Sequence, residues 1–258
     1  MRLYVINLAR RPDRLAATLR QAAPLGLSLE RAEAVDAARE PPGILDRWFE
    51  AGGPLGEIPR GDKACLLSHR GAWEMFAASG DAHAVFLEDD VRLCACARGL
   101  LANDGWIPPD VGCVKLEHYG PPGQRVLLTD MCGAAQDFQI GRMLSRHTGA
   151  AAYILSRGAA QMLLAQTSFD LPVDHLLFNP NNSRLFARLS PWQLVPAIAR
   201  QETGAKSDIE ATRKGLRAFG LSYVKRELIR FGYDLKLVPR QVAALLRGAK
   251  FVAIQTAD

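Results

Sequence analysis

The sequence predicts an α/β fold with a largely parallel, mixed central sheet and a basic, helical C-terminal extension. Three observations carry that reading. Apolar runs such as LYVINL (3–8) and HAVFLE (83–88) have the length of buried strands. Segments with helical spacing follow them, and this alternation argues for helices layered over a mainly parallel sheet. Positive charge gathers at the end of the chain: residues 211–258 hold ten Lys and Arg against three Asp and Glu, a net of +7 in a chain of net +5, so the preceding 210 residues carry −2.

The elements follow in order. After the strand at 3–8, residues 11–26 have helical spacing at Leu15, Leu19 and Ala22, with Pro12 near the start, where proline is tolerated. LERAEAVDA returns to a strand. Residues 39–61 are rich in Pro and Gly and read as a loop with one short helical turn. The clearest helix is 62–79, with Asp62 as its N-cap, Ala64, Leu67, Trp73 and Phe76 on its apolar face, and Gly80 as its stop. Strands are expected at 83–88, 112–120 and 125–130. FQIGRML and GAAAYILS form a further pair around Arg146-His147-Thr148. Residues 156–167 are helical, and PVDHLLF (172–178) is a short helix with Pro172 in its first turn.

Composition bounds the class. With 258 residues, 48% of them apolar, the chain can bury one large core or two modest ones. No run approaches the roughly 18–20 apolar residues of a membrane span, and the N-terminus reads as a strand without a signal-peptide cleavage site. Five cysteines, at 65, 94, 96, 113 and 132, lack paired C-x-x-C spacing, which points to reduced thiols and a cytoplasmic protein.

The chemistry-bearing feature is HAVFLEDDV. Ligands of open α/β sheets bind beyond the carboxyl ends of strands, and here an apolar strand runs into Glu88, Asp89 and Asp90. Alternation sends Glu88 and Asp90 one way and Asp89 the other. Three clustered carboxylates repel one another unless a cation, basic groups or water relieve them. Mg²⁺ and Mn²⁺ do this with oxygen ligands and often share them with phosphates. The competing readings are a solvated strand-end turn and a metal-dependent phosphohydrolase.

The triplet is one of five blocks in order: VINLARRPDR, GDKACLLSHRGAW, HAVFLEDDV, HTGAAAYILSRGAAQMLL and LPVDHLLF. Together they resemble the family 25 glycosyltransferases of lipooligosaccharide and lipopolysaccharide biosynthesis, over roughly residues 1–209. Two blocks depart from the family pattern. Gly61-Asp62-Lys63-Ala64-Cys65 stands where the family has a sequence like GEIGC. Ala150 replaces the threonine of H-x-G-T-x-A-Y. The resemblance implies a GT-A type, Rossmann-like domain at 1–209, followed by the extension at 210–258. It implies a nucleotide-diphosphate sugar donor of the UDP-galactose kind, inversion at the anomeric carbon, Mn²⁺ or Mg²⁺, and a glycolipid or oligosaccharide acceptor.

Roles follow from that reading. Asp90, with Glu88, is expected to hold the metal, and Glu88 and Asp89 the ribose and the metal's waters. Asn7, at the end of the first strand, is expected to meet the nucleotide. Arg10, Arg11 and Arg14 suit phosphate, and Asp36 suits ribose or base. Ser68, His69 and Arg70 are consecutive on a helix and cannot all face one pocket; His69 is taken as the donor-site contact and Trp73 as core. Inversion needs one general base, and Asp174, an acid among apolar neighbours, is the candidate, against the alternative of a helix cap. His147 and His175 are candidates for orienting groups, and Gln201 or Asp208 for an extra ligand. The interspersed cations and apolar residues of 212–252 fit an anionic membrane surface, hence a peripheral position on the inner face of the cytoplasmic membrane, or a helical cap on the core. No nucleic-acid module is present. A binding relative without catalysis is the remaining alternative.

Overall fold

A computed structural model of the protein describes residues 1–202, apart from 122 and 136, and residues 221–257. The chain opens with β1 (Arg2–Asn7), α1 (Pro12–Ala22), β2 (Leu29–Glu33), α2 (Arg60–Ala78), β3 (His83–Glu88), β4 (Val91–Leu93) and α3 (Ala97–Leu101). It continues through β5 (Cys113–Lys115), β6 (Glu117–His118), β7 (Arg125–Gly133), β8 (Gln139–Met143), β9 (Ala152–Ser156) and α4 (Arg157–Leu164). The rest is α5 (Val173–Phe178), α6 (Phe186–Leu189), β10 (Trp192–Val195), β11 (Ala199–Gln201), α7 (Leu221–Leu246) and β12 (Lys250–Ala253).

Nine strands form one sheet in the order β12-β7-β8-β10-β5-β9-β3-β1-β2, and β4-β11-β6 form a small second sheet. The strand alternation of β1 and β3 divides the core. Tyr4, Ile6, Ala84 and Phe86 face α2, where Trp73 and Phe76 are fully buried. Leu3, Val85 and Leu87 face the opposite layer, which includes Leu100 and Leu101 of α3. Tyr4 stacks on Phe86 and Phe86 on Tyr153, with ring centroids 5.7 and 5.3 Å apart.

The sheet is mixed, with a smaller parallel share than the alternation of elements suggests. Pairs β1–β2, β1–β3 and β5–β10 are parallel, and the other neighbours are antiparallel. Two of these three parallel pairs form the N-terminal β2-β1-β3 unit, where crossover helices join the strands.

Several expectations are corrected. α2 starts at Arg60 with Pro59 at its N-cap, so Asp62 lies in the first turn and is buried. Pro172 is likewise the N-cap of α5 and not in its first turn. Cys94 and Cys96 are not reduced thiols but a disulfide: the Ala97 N–H bonds to the Cys94 carbonyl, and this turn brings their Cα atoms to 5.3 Å. Cys65, Cys113 and Cys132 remain thiols. The C-terminal segment is not helical throughout, because Lys250–Ala253 pair with β7 as an edge strand and Ile254 is fully buried. Residues 210–220, and with them the start of the basic tail, lie outside the described residues.

A buried ion pair underlies the centre of the sheet. Lys115 Nζ donates to Glu117 Oε1 at 2.7 Å, and neither side chain is exposed. Lys115 also donates to the Gly149 carbonyl and lies 4.6 Å from the Phe178 ring centroid, while Glu117 Oε1 accepts the Ala151 N–H at 2.9 Å. Burial pulls the lysine's pKa down and pushes the glutamate's up, and each partner opposes the other's shift. Removing one member strands the other charge in the core, a loss of about 3–5 kcal/mol. Lys115→Met is therefore expected to lower unfolding stability by about that amount, and Lys115→Met/Glu117→Leu by less than Lys115→Met alone, as measured by urea denaturation.

Candidate active site

Parallel strands β1, β2 and β3 all deliver their carboxyl ends to one side, and a cavity of about 560 Å³ opens there. Its lining comes from the segments that leave these strands (Leu8, Ala34–Ala38 and Glu88–Asp90), from the first turns of α2, from Gly149 and Ala150, from the start of α5 and from Gln201 of β11. Gly149 has φ +91°, and a Cβ there would stand 2.7 Å from the Tyr119 ring, so this wall of the cavity needs a glycine.

The three carboxylates diverge as strand alternation requires. Asp89 turns toward β1 and α1: its Oδ2 accepts Asn7 Nδ2 at 2.7 Å and its Oδ1 accepts Arg14 Nη1 at 3.2 Å. Thr18 Oγ1 donates to the Asp89 carbonyl. Glu88 turns toward α2, and Asp90 faces Gln201. The β4–β11 register sets Gln201 opposite Val91, so its Nε2 reaches Glu88 Oε2 at 3.1 Å and Asp90 Oδ1 at 3.4 Å. Arg14 Nη1 stands 4.0 Å from Asp90 Oδ2. Burial, then Glu88 and Asp89, push the Asp90 carboxyl up to about 7, against the pull of Arg14 and Gln201. Burial also raises Asp89, opposed by Asn7 and Arg14.

His69 is fully buried on α2, with Nδ1 2.7 Å from Tyr153 Oη and Nε2 3.3 Å from Glu88 Oε1. Trp73 Nε1, a donor only, reaches Tyr153 Oη at 2.9 Å. Satisfying every donor makes the tyrosine hydroxyl donate to His69 Nδ1 and leaves the imidazole proton on Nε2, aimed at Glu88. Cys65, one turn earlier on α2, has its Sγ 3.8 Å from the same Glu88 oxygen. Ser68 also lines the cavity, where it accepts the Val35 N–H, whereas Arg70 turns outward onto the Trp48 ring and the Leu164 carbonyl. Trp73 is core.

Of the residues singled out in the sequence, Arg10, Arg14, Asp36, His69, Glu88, Asp89, Asp90, Asp174 and Gln201 line this cavity. Asp36 accepts Arg10 Nε at 2.7 Å; burial opposes its charge, but the Ala38 N–H and Arg10 outweigh that and keep its carboxyl below the usual range. Asn7 does not line the cavity. It is buried behind the wall, its amide engaged by Asp89, Arg31 and the Arg11 carbonyl, so it positions Asp89 and does not meet a ligand in this arrangement. Arg11 is also outside the lining and pairs with Asp13 at 2.8 Å. Asp174 is half-buried and open to the cavity, not enclosed by its apolar neighbours, and its Oδ1 accepts the His175 N–H at 2.9 Å. Asp208 lies outside the described residues.

Sequence reasoning missed Cys65, Arg60 and Tyr119. For Cys65 a signal existed: Cys65, His69 and Trp73 recur every four residues and share one helix face. Arg60 organises the 37–41 loop through the Ala37 and Glu40 carbonyls. His147 and His175 stay out of the cavity lining. His147 is buried, with Nδ1 2.7 Å from Gln193 Oε1, and its Nε2 accepts the Tyr119 N–H.

Fold and cavity together define an α/β protein with an acidic pocket beyond the carboxyl ends of a parallel three-strand unit. The family model described as glycosyltransferase family 25 (LPS biosynthesis protein) matches residues 1–177, and the chain belongs to that family. It is 34% identical over 158 residues to the lacto-N-neotetraose biosynthesis glycosyltransferase LgtB of Neisseria meningitidis, covering 55% of this chain and 53% of that protein. It is 28% identical over 171 residues to the lipooligosaccharide biosynthesis protein lex-1 of Haemophilus influenzae, covering 62% and 55%. The chain thus matches about half the length of each of these relatives. A solved glycosyltransferase involved in the glycosylation of the major capsid of PBCV-1 aligns with 84% of this chain and 98% of its own at a TM-score of 0.39 and 10% identity, too distant to add to the assignment.

Burial pulls the His147 pKa down to about 3, with Lys115 adding to the shift. The folded state therefore holds this imidazole neutral while the unfolded chain takes up a proton below about 6.5. Its contribution to stability is complete above pH 6.5 and lost as pH falls toward 3. Urea titrations from pH 7 to pH 4 are expected to show stability falling with a slope that is shallower in His147→Gln by up to about 1.4 kcal/mol per pH unit.

Proposed function

We propose that this chain is an inverting glycosyltransferase that moves a sugar, galactose, from a UDP-sugar donor to a hydroxyl of a cell-surface glycolipid such as lipooligosaccharide or lipopolysaccharide core. The observation that carries the reading is the cluster of Glu88, Asp89 and Asp90 on the wall of one cavity of this family's domain, with the Arg14 guanidinium between Asp89 and Asp90. The names of the matched relatives, drawn from lacto-N-neotetraose and lipooligosaccharide biosynthesis, support the acceptor class.

The donor set fits a hard divalent ion. Burial first, and then the charges of Glu88 and Asp89, raise the Asp90 carboxyl, and a bound cation would offset both. Glu88 and Asp90 share the Gln201 amide, which brings an oxygen of each close together. These two would hold Mn²⁺ or Mg²⁺, which supplies positive charge to the diphosphate leaving group. Asp89 keeps Arg14 at the phosphate side, and His69 fixes the Glu88 carboxylate from behind. Asp36, steadied by Arg10, receives ribose or base. Asp174 opens into the same cavity from α5 and takes the acceptor proton as the hydroxyl oxygen bonds to the anomeric carbon and the bond from that carbon to the diphosphate breaks.

Calorimetry with UDP, with and without Mn²⁺, together with a transfer assay, tests this. Mn²⁺ is expected to tighten UDP binding, and Asp90→Asn to lose at least about tenfold of that gain. Because Asp90 must shed its proton to hold a cation, the gain weakens as pH drops through about 7. Asp174→Asn is expected to keep UDP binding and to lose about 10²–10⁴ in transfer rate. Parent-like Mn²⁺ response in Asp90→Asn, or unchanged turnover in Asp174→Asn, overturns the respective role.

The membrane reading of the tail is kept as part of this proposal. Leu235, Val238, Val242 and Leu245 of α7 are 40–52% exposed at helical spacing, and Lys236, Arg240 and Arg247 adjoin them. Val238→Asp/Val242→Asp is expected to weaken sedimentation with phosphatidylserine-containing vesicles at least several-fold while leaving UDP binding unchanged; equal sedimentation refutes the docking.

A further inference from the structure

Cys65, His69 and Glu88 bring a thiol, an imidazole and a carboxylate together on the cavity wall, with their ligand atoms all within 4.8 Å of one another. Glycosyl transfer as proposed above uses no thiol. Cys65 and His69 stand at i and i+4 on α2, the spacing that aims two helix side chains at one point. Glu88 meets them from β3.

The separations match one kind of ion. Tetrahedral Zn²⁺, with bonds of about 2.3 Å to sulfur and about 2.0–2.2 Å to nitrogen and oxygen, places nitrogen and oxygen about 3.3 Å apart and sulfur and oxygen about 3.6 Å apart. The observed distances are 3.3 Å for His69 Nε2 to Glu88 Oε1 and 3.8 Å for Cys65 Sγ to the same oxygen. Three protein ligands leave a fourth position open to the cavity. Behind the imidazole, Tyr153 Oη lies 2.7 Å from Nδ1, the kind of partner that orients a metal-bound histidine. A mixed sulfur–nitrogen–oxygen set suits Zn²⁺ or Cd²⁺ and is a poor match for Mg²⁺ or Mn²⁺, which prefer oxygen.

We propose that Cys65, His69 and Glu88 form a site for a thiophilic divalent ion, Zn²⁺ in class, separate in chemistry from the oxygen-ligand position at Asp90. Binding displaces the Cys65 thiol proton to solvent and moves the imidazole proton from Nε2 to Nδ1, where Tyr153 Oη accepts it. The tyrosine hydroxyl hydrogen then loses its acceptor, which holds the affinity below that of a closed Cys/His structural site. Since Glu88 belongs to both positions, occupancy by Zn²⁺ withdraws it from the Asp90 side and inhibits any function that needs Mg²⁺ or Mn²⁺ there. Zinc thereby acts as a brake.

The probe is Cd²⁺ added to the purified full chain, read by the ultraviolet thiolate-to-cadmium charge-transfer band, with Zn²⁺ competing it away. Parent protein is expected to give a saturable band at one Cd²⁺ per chain. Cys132→Ser, which removes the other half-buried thiol, keeps it. Cys65→Ser and Cys65→Ala abolish it, and His69→Gln weakens binding at least about tenfold. Thermal unfolding midpoints near the parent's qualify the cysteine variants as folded, and either one suffices. A parent chain with no saturable band, or a band that survives loss of Cys65, overturns the site. Neither result touches the Asp90 reading, which involves no thiol and is tested by the Mn²⁺ response with UDP.

Discussion

Three carboxylates stand at the end of one strand with a single guanidinium between two of them, and the surrounding structure is arranged to tolerate that imbalance. β3 fixes the separation. Its alternation gives Asp89 to the β1–α1 side and Glu88 to the α2 side, so the three charges are not pressed against one another. Asp89 is answered by Asn7 and Arg14, Glu88 by His69 and Gln201, and Asp90 by Gln201 with Arg14 at longer range. The least compensated member is Asp90, whose carboxyl is raised by burial first and then by the neighbouring charges of Glu88 and Asp89.

A second layer of polar groups lies beneath that surface and holds its geometry. Lys115 and Glu117 fasten Gly149 and Ala151, and the Ala151 carbonyl in turn accepts the Glu88 N–H at 2.8 Å. Trp73, Tyr153 and His69 form a hydrogen-bonded line from the apolar core to the Glu88 side chain. Backbone and side chain of the same glutamate are thus anchored to different buried networks. Such networks rigidify a site when every member is satisfied. Among the described residues Glu117 Oε2 is a buried exception with no hydrogen-bond partner.

What the sequence disclosed, and what it concealed, follows the range of the interactions. Strong local patterns were legible: the apolar lead into Glu88, the helix carrying His69 and Trp73, and the Pro and Gly loop with its one helical turn at Asp46–Trp48. Asp90, Asp36 and Asp174 reach a common cavity, although no local pattern said so. Partnerships across the chain were hidden. Asn7 looked available to a ligand because its acceptor, Asp89, is 82 residues away. Gln201 was suggested by the family resemblance alone, since its position beside Asp90 depends on a three-residue strand pairing. The Cys94–Cys96 bond was hidden because a turn, not a spacing motif, closes it. β12 was masked by the basic amphipathic pattern that precedes it.

That short final strand has a consequence for solubility. β7 is nine residues long, and Val126, Leu127 and Leu128 within it are fully buried, so without cover its outer rim would offer a long apolar template to any neighbouring chain. Lys250–Ala253 occupies that rim and replaces it with a boundary of four residues that begins on a charged, exposed lysine. A stub so brief is a poor seed for intermolecular pairing. The lamella is closed off there by hydrogen bonds that an incoming molecule would otherwise compete to make.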